Sequence, residues 1–212
     1  MNLFLTGTDT NAGKTYVAAL LVRALRKAGV NAVGLKPICC GGREDAETLH
    51  TAADGAISLN EINPVWLRTP AAPYTAAVIE NRTIDLMLIR EMFGRARSAH
   101  ESIIVEGVGG WRVPIARDYF VGDLAEEFGL PVAIVVANRL GAINHALLTV
   151  ESVQRRGLPC AGLILNRVSA IDDVATATNR SMLEELTGLP ILAEVAYGQS
   201  ELPADILGSG RG

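Results

Sequence analysis

The chain has 212 residues, a hydrophobic content of 49% and a formal net charge of -4. This length and composition suit a single α/β domain over residues 1–212 with a filled core. The acidic balance, without a basic stretch, argues against nucleic acid as a partner. No apolar run is long enough to cross a bilayer and Met1 leads directly into a strand, so we expect a cytoplasmic protein that does not bind membranes. Three cysteines, two of them adjacent, predict free thiols and no disulfide framework.

The first predicted strand, Leu3–Leu5, leads through a polar loop into a helix predicted over Lys14–Ala28. The tripeptide Gly13–Thr15 stands where this helix starts. Backbone N–H groups at such a place bind phosphate oxygens, the lysine neutralises them, and the threonine hydroxyl can bind magnesium. The loop therefore predicts a nucleoside-triphosphate site, although Thr8 occupies the position where this pattern usually has its first glycine.

The second predicted strand, Ala32–Leu35, is followed by Lys36. Ligands of parallel sheets bind at the carboxyl ends of the strands, so this lysine is placed to meet phosphates or a substrate. A solvated surface lysine is the alternative. Asp45 lies in the first turn of a short helix predicted to end at Ala52, where it can complement the helix dipole or bind a metal.

A helix is predicted over Thr83–Arg97 and a strand over Ile103–Val105. Glu106 ends that strand, where a phosphate-loop protein places a carboxylate for magnesium. The glycines of Gly107–Gly110 allow the backbone to approach a ligand closely, and a plain glycine-rich turn is the alternative.

The remaining predicted elements are the strands Val132–Val136, Gly162–Leu165 and Ile191–Val195 and the helices Asn144–Arg156 and Ala175–Leu186. Asn144 is interpreted as the N-cap of its helix. Asn166 follows a strand, where it can meet a nucleotide base or serve a turn. Apolar strands alternating with helices predict a mostly parallel sheet covered by helices on both faces.

These segments resemble the dethiobiotin synthetase family, the ATP-dependent cyclo-ligases of biotin biosynthesis. The matching segments are Thr6–Thr15, Leu35–Pro37, Asp45–Ala46, Val105–Trp111, Pro114, Leu140–Thr149 and Ala161–Asn166. The resemblance runs through most of the chain, and Glu-Gly-x-Gly-Gly-Trp and Leu-Gly-x-Ile-Asn-His are its most specific parts. It implies a P-loop NTPase-like fold. It also implies closure of a cyclic urea from diaminopelargonic acid, carbon dioxide and ATP, through a carbamate and a carbamic–phosphoric anhydride.

The resemblance further implies roles for single residues. Catalysis falls to Lys14, Lys36 and Thr10. ATP, the co-substrate, contacts Thr10, Asn11, Ala12, Gly13, Lys14, Thr15, Tyr16, Glu106 and Asn166. Mg²⁺ is bound by Thr15, Asp45 and Glu106. The diamine contacts Lys36, Cys40, Gly107, Val108, Gly109 and Gly110, and its carboxylate tail contacts Leu140, Gly141 and Asn144 across the interface of a homodimer.

The chain departs from the family pattern at four places, one of which is a short segment between Gly42 and Asp45. Cys40 replaces a serine near the substrate. Arg167 replaces an aspartate after the base-facing asparagine, which leaves the base selectivity open. Val195-Ala196 replaces an Ile-Pro pair, which leaves the ribose and base contacts of Glu201 and Pro203 open.

Other functions use a similar phosphate loop. A cobyrinate-type amide synthetase usually carries an additional glutaminase domain, for which this chain is too short. A partner-regulated ATPase switch of the chromosome-partitioning kind has an additional lysine early in the loop, and residues 8–12 contain none. An inactive binding module is disfavoured because Lys14, Thr15, Lys36 and Glu106 are all present.

Overall fold

The computed structural model describes residues 1–202, and the expected contact of Pro203 lies outside them. Its strands are β1 (Asn2–Gly7), β2 (Ala32–Leu35), β3 (Ile38–Cys40), β4 (Val65–Leu67), β5 (Ser102–Glu106), β6 (Pro114–Ala116), β7 (Tyr119–Phe120), β8 (Val132–Ala137), β9 (Cys160–Asn166) and β10 (Ile191–Val195). Its helices are α1 (Lys14–Lys27), α2 (Glu44–Ala52), α3 (Leu59–Ile62), α4 (Pro73–Ile79), α5 (Leu86–Ala99), α6 (Val121–Phe128), α7 (Ala142–Gln154) and α8 (Val174–Thr187). None of the helices in this part of the chain is long and apolar enough to span a bilayer.

The central feature is a six-stranded sheet in the order β10-β9-β8-β1-β5-β2. All neighbouring strands in it pair in parallel, which confirms the predicted α/β fold. The strands β1, β5 and β8 are apolar and buried almost throughout, as expected where helices cover both faces of a sheet. Because β1 lies between β5 and β8, the loops after these three strands meet at one edge, where ligands of parallel sheets bind.

Every predicted strand belongs to this sheet, with small shifts of its bounds. The helix predicted to start at Thr83 starts at Leu86, because the Asp85 side chain accepts a hydrogen bond of 2.9 Å from the Leu88 N–H and caps it. The helices α3, α4 and α6 and the small sheets β3–β4 and β6–β7 were not predicted from the sequence. Most of these elements are too short to show a clear hydrophobic period, but α6 buries Val121, Leu124, Ala125 and Phe128 at helical spacing, so its signal was present in the sequence.

One prediction about α7 is wrong. The helix starts at Ala142, and its N-cap is Gly141 instead of Asn144. Gly141 has a φ of +89°, a left-handed conformation that glycine adopts without steric cost. Asn144 is therefore an exposed residue of the first helical turn, in the segment that follows β8.

Candidate active site

A cavity of about 730 Å³ lies at the carboxyl edge of the sheet. It is lined by predicted site residues from the phosphate loop and from the segments after β2 and β5: Thr10, Asn11, Gly13, Lys14, Thr15, Lys36, Cys40, Asp45, Glu106, Val108 and Gly109. Its remaining walls come from Cys39, Gly42, Pro70, Ala71, Ala72, Pro73 and Val113. The fold thus brings most of the expected residues together around one space.

The phosphate loop has a physical reason for its unusual spacing. A Cβ atom added to Gly7 would lie 3.1 Å from Nζ of Lys14 and 2.9 Å from the carbonyl oxygen of Asp9, so a close approach falls at Gly7. The next residue, Thr8, donates its N–H to the Val135 carbonyl of β8 at 3.0 Å. The loop then closes at Gly13, whose φ of +84° also requires glycine.

Lys14 lies buried across this loop. Its Nζ donates to the carbonyl oxygens of Asp9 and Thr10 at 3.0 and 3.1 Å. Burial, and then the nearby charge of Lys36, lower the pKa of Lys14 to about 8. An anion bound in the loop would favour its charged form, so the site is electrostatically suited to phosphate.

Lys36 and Glu106 form a buried ion pair at the base of the cavity. The Lys36 Nζ lies 2.5 Å from Oε1 of Glu106 and 2.8 Å from Oδ2 of Asp45. The same Oε1 accepts a hydrogen bond of 2.8 Å from the Thr15 hydroxyl. Burial by itself would lower the pKa of Lys36, but Glu106 and Asp45 raise it above its ordinary value. Lys36 is therefore a fixed positive charge.

The two carboxylates beside Lys36 differ in exposure. Glu106 is 1% exposed, and its Oε2 has no hydrogen-bond partner among residues 1–202. Asp45 is about half exposed. Burial alone would raise the pKa of Asp45, but Lys36 lowers it below its ordinary value. The cluster of Thr15, Asp45 and Glu106 therefore offers hydroxyl and carboxylate oxygens, one of which is buried and unused.

Asn166 joins the end of β9 to the phosphate loop. Its Nδ2 donates to the Ala12 carbonyl at 2.9 Å, whereas its Oδ1 is buried without a partner in the described part of the chain. The Arg167 guanidinium instead pairs with Asp172 at 2.8 Å and donates to the Ile171 carbonyl at 2.7 Å. Asn166 thus holds the loop from a buried position outside the cavity lining, while Arg167 is held in a neighbouring turn.

Several expected site residues do not line the cavity. Ala12 is fully buried, Gly107 packs against Phe4 and Val121, and Gly110 packs against the main chain of the phosphate loop. The Tyr16 hydroxyl donates to the Gln199 carbonyl, and Asn166 also lies outside the cavity lining. Their expected contacts stay predictions.

The tail-binding group also stands apart from the cavity of its own chain. Leu140, Gly141 and Asn144 lie exposed at the start of α7 and do not line the space described above. Their assignment to the site of a second subunit is therefore untested by a single chain.

The apolar wall formed by Pro70–Pro73 was missed by the sequence analysis. The segment reads Pro-Ala-Ala-Pro and leads into α4, with Pro73 at the first helical position. Two prolines around small apolar residues were the available signal. Cys40 lines the same cavity as this wall, and burial, followed by the charge of Glu80, raises the pKa of its thiol to about 11. The thiol is therefore neutral at physiological pH.

A phosphate loop between the central strand and the first helix of a parallel sheet defines a P-loop nucleoside-triphosphate-binding protein. A family described as AAA domain matches residues 1–200. A ParA family ATPase from Chlorobium tepidum has a TM-score of 0.56 at 16% identity, over 92% of this chain and 83% of that chain. The septum site-determining protein MinD from Pyrococcus horikoshii has a TM-score of 0.57 at 17% identity, over 92% and 82%. These likenesses show the fold.

Comparison with curated relatives shows which family within this class the chain matches. The chain is 48% identical to the ATP-dependent dethiobiotin synthetase BioD of Akkermansia muciniphila over 206 residues, 97% of each chain. It is 42% identical to that of Aromatoleum aromaticum, over 97% of this chain and 95% of the relative. The chain therefore belongs to the ATP-dependent dethiobiotin synthetase family.

Proposed function

We propose that this chain closes the urea ring of dethiobiotin from 7,8-diaminopelargonic acid, carbon dioxide and ATP in biotin biosynthesis. The observation that carries the proposal is the single cavity in which Lys14 and Lys36 face the same space beside Thr15, Asp45 and Glu106. The names of the relatives support this choice of reaction. A cytoplasmic location is part of the proposal and rests on the sequence expectation.

The reaction needs three bond-forming steps. One amine of the substrate attacks carbon dioxide and loses a proton, which gives a carbamate. A carbamate oxygen attacks the γ-phosphorus of ATP, and ADP leaves. The second amine then attacks the carbonyl carbon of the mixed anhydride, loses a proton and expels phosphate. Positioning and charge stabilisation account for most of the catalysis in such phosphoryl transfers, so no protein nucleophile is required.

The two lysines stabilise negative charge on different parts of the substrates. Lys14 emerges from the phosphate loop and neutralises the triphosphate. Lys36 directly follows β2, which is separated from β1 by β5, and it stabilises the oxygens of the transferring phosphoryl group and of the carbamate. Because the Lys36 ammonium group is already fixed by ion pairs with Glu106 and Asp45, it needs little reorganisation during the reaction. Thr10 lines the same space and contributes to the phosphate contacts.

The donor set fits magnesium. Thr15, Asp45 and Glu106 supply the hard oxygen ligands that Mg²⁺ prefers, and Oε2 of Glu106 is buried without a partner among residues 1–202. In those residues no three His, Cys, Asp or Glu side chains group into a metal site of their own. This agrees with a cation that shares its coordination with substrate phosphates and water. When bound, it would neutralise charge on the phosphates.

The base preference follows from Asn166. Its Nδ2 donates to the Ala12 carbonyl and its Oδ1 is buried without a partner among residues 1–202, so the side chain must turn towards the cavity before Oδ1 accepts a hydrogen bond from an amino group. Adenine carries an amino group where guanine carries a carbonyl oxygen. We therefore propose a modest preference for ATP over GTP. The phosphate-loop residues Thr10–Thr15 are proposed to contact the phosphates.

The diamine is proposed to lie between the glycine segment, Cys40 and the Pro70–Pro73 wall, with its carboxylate at the first turn of α7 of a partner subunit. Helix N-terminal N–H groups bind carboxylates, aided by the helix dipole. Leu140 and Leu148 on the same segment are 83% and 58% exposed, which supports an interface there.

A mass-spectrometric assay for the urea-ring product tests the proposal directly. We expect product only when diaminopelargonate, bicarbonate and MgATP are all present, with one ADP formed for each ring closed. ATP hydrolysis that proceeds equally well without the diamine would contradict the proposal and favour an ATPase switch.

A further inference from the structure

Helix α8 buries an asparagine where an apolar residue would be expected. In this helix, which the structure describes throughout, the fully buried side chains are Asn179 and Leu183, one turn apart. Asn179 is 2% exposed and meets Asn138, which is 4% exposed and follows β8. A buried amide carries a desolvation cost unless its polar atoms find partners. The contacts of this pair therefore show what it holds in place.

One hydrogen bond joins the two side chains, and each asparagine also donates to the main chain of the other's segment. The Asn179 Nδ2 donates to Oδ1 of Asn138 at 2.8 Å and to the Arg139 carbonyl at 3.1 Å. The Asn138 Nδ2 donates to the Thr176 carbonyl of α8 at 3.2 Å. Each asparagine thus contacts the main chain of the other's segment.

These bonds fix the turn that starts α7. The Arg139 carbonyl also accepts the N–H of Ala142, the first residue of α7, at 3.1 Å. The Asn138 N–H donates to the Asn166 carbonyl at 2.8 Å, and the Asn166 side chain holds the phosphate loop at Ala12. A continuous chain of hydrogen bonds therefore joins the phosphate loop to the first turn of α7.

We propose that the buried Asn138–Asn179 pair is a positioning device, which orients the first turn of α7 for the carboxylate tail of the diamine. This inference rests on the proposed function. Neither asparagine lines the cavity, so each acts through the turn that it holds. The pair therefore affects the binding of the diamine, whereas the rate of phosphoryl transfer depends on Lys14 and Lys36.

The double variant Asn138→Ala/Asn179→Leu tests the role without leaving one amide buried and unpaired. Replacing both partners by apolar groups can be nearly neutral for stability. We expect a melting temperature close to that of the wild type and a KM for diaminopelargonate raised about tenfold, in the range typical of coupling networks. The kcat and the KM for ATP should change by less than about twofold.

The single variant Leu183→Ala is the matched control, because it weakens the packing of the same helix but leaves the amide pair intact. It should lower the melting temperature and leave both KM values unchanged. An unchanged diamine KM in the double variant, or an equal rise in the control, would overturn the positioning role.

Hydrogen exchange gives a readout that needs no substrate. Amides of residues 139–147 should exchange faster in the double variant than in the wild type or in Leu183→Ala. Equal exchange in all three would contradict the proposal. If the wild-type chain forms no urea product, the proposed function and the substrate part of this inference fail together, and the exchange measurement then decides only whether the pair holds the first turn of α7.

Discussion

At the scale of single residues, Lys36 has the most constrained environment in the site. Its ammonium group is buried between Glu106 and Asp45, and both contacts are short. Removing the cation from such a pair leaves Glu106 as an uncompensated buried charge, which costs on the order of 3 kcal/mol. The residue is therefore expected to serve stability and catalysis together, and the two roles can be separated by experiment.

We expect Lys36→Met to lower kcat at saturating substrates by about a hundredfold, with ATP affinity little changed. Lys36 follows β2 and is not part of the loop that holds the phosphates, so we expect its charge to matter most in the transition state. Steady-state kinetics and calorimetry check this, with the exposed lysine variant Lys27→Met as the control. Loss of ATP affinity with an intact saturated rate would show that the role is wrong.

The same variant should change how stability depends on pH. Lys36 lowers the pKa of Asp45 below its ordinary 3.8, so the charged carboxylate stabilises the folded state above that pH. This contribution is lost as the pH falls through the lowered pKa. The difference in unfolding free energy between wild type and Lys36→Met should therefore be largest near neutrality and shrink on the acid side. Denaturant titrations at several pH values measure it, and a difference that grows on acidification would contradict the pairing.

Lys14→Ala should nearly abolish turnover while the fold persists. Its ammonium group lies in the phosphate loop, where loss of one electrostatic contact costs about 3 kcal/mol or more in the transition state. Product formation and a thermal melt check both halves of this expectation. Near-normal activity of Lys14→Ala would contradict the assignment of this loop as a phosphate-binding site.

Glu106→Gln should raise the magnesium concentration required for half-maximal rate, because an amide is a weaker ligand for a hard cation. Magnesium titrations of the rate measure this. The exposed Glu47→Gln on the neighbouring helix α2 is the control and should leave the titration unchanged. An unaltered titration for Glu106→Gln would exclude it from the metal site.

At the scale of elements, the phosphate loop and β9 depend on each other through Gly13. A Cβ atom at this position would lie 2.1 Å from Nδ2 of Asn166, and the residue has a φ of +84°. Gly29 has a similar φ of +83° with nothing within 4 Å of the added atom. We expect both Gly13→Ala and Gly29→Ala to lose about 1 kcal/mol through backbone strain. Only Gly13→Ala should also lose ATP binding by calorimetry, and equal binding by the two variants would contradict this coupling.

At the scale of the whole molecule, we expect a homodimer whose sites are completed by α7 of the partner subunit. Ala146 and Val150 are buried in the core of their own subunit, so the exposed Leu140 and Leu148 are better candidates for the interface. Light scattering at micromolar concentration should give twice the mass of the chain, and a monomer would exclude a shared site.

Asn144→Asp should separately weaken diamine binding but not ATP binding, because it adds a negative charge beside the carboxylate tail of the diamine.

The sequence by itself determined the local features of this protein. The spacing of Gly13–Thr15, the apolar runs and the carboxylate at Glu106 depend on neighbouring residues, so the strands and the phosphate loop could be predicted from them. Asn144 shows the limit of this reasoning, because an asparagine near a predicted helix start is a cap only if the backbone begins the helix there. The single domain over residues 1–212 stays a prediction.

The tertiary structure alone decided which of these features meet. Lys36 and Glu106 are 70 residues apart in the chain and become neighbours because β2 pairs with β5. The apolar wall at Pro70–Pro73 and the buried Asn138–Asn179 pair depend in the same way on how distant segments pack. Strand order and packing are set by the burial of surfaces that are far apart in sequence, and no local pattern encodes that choice.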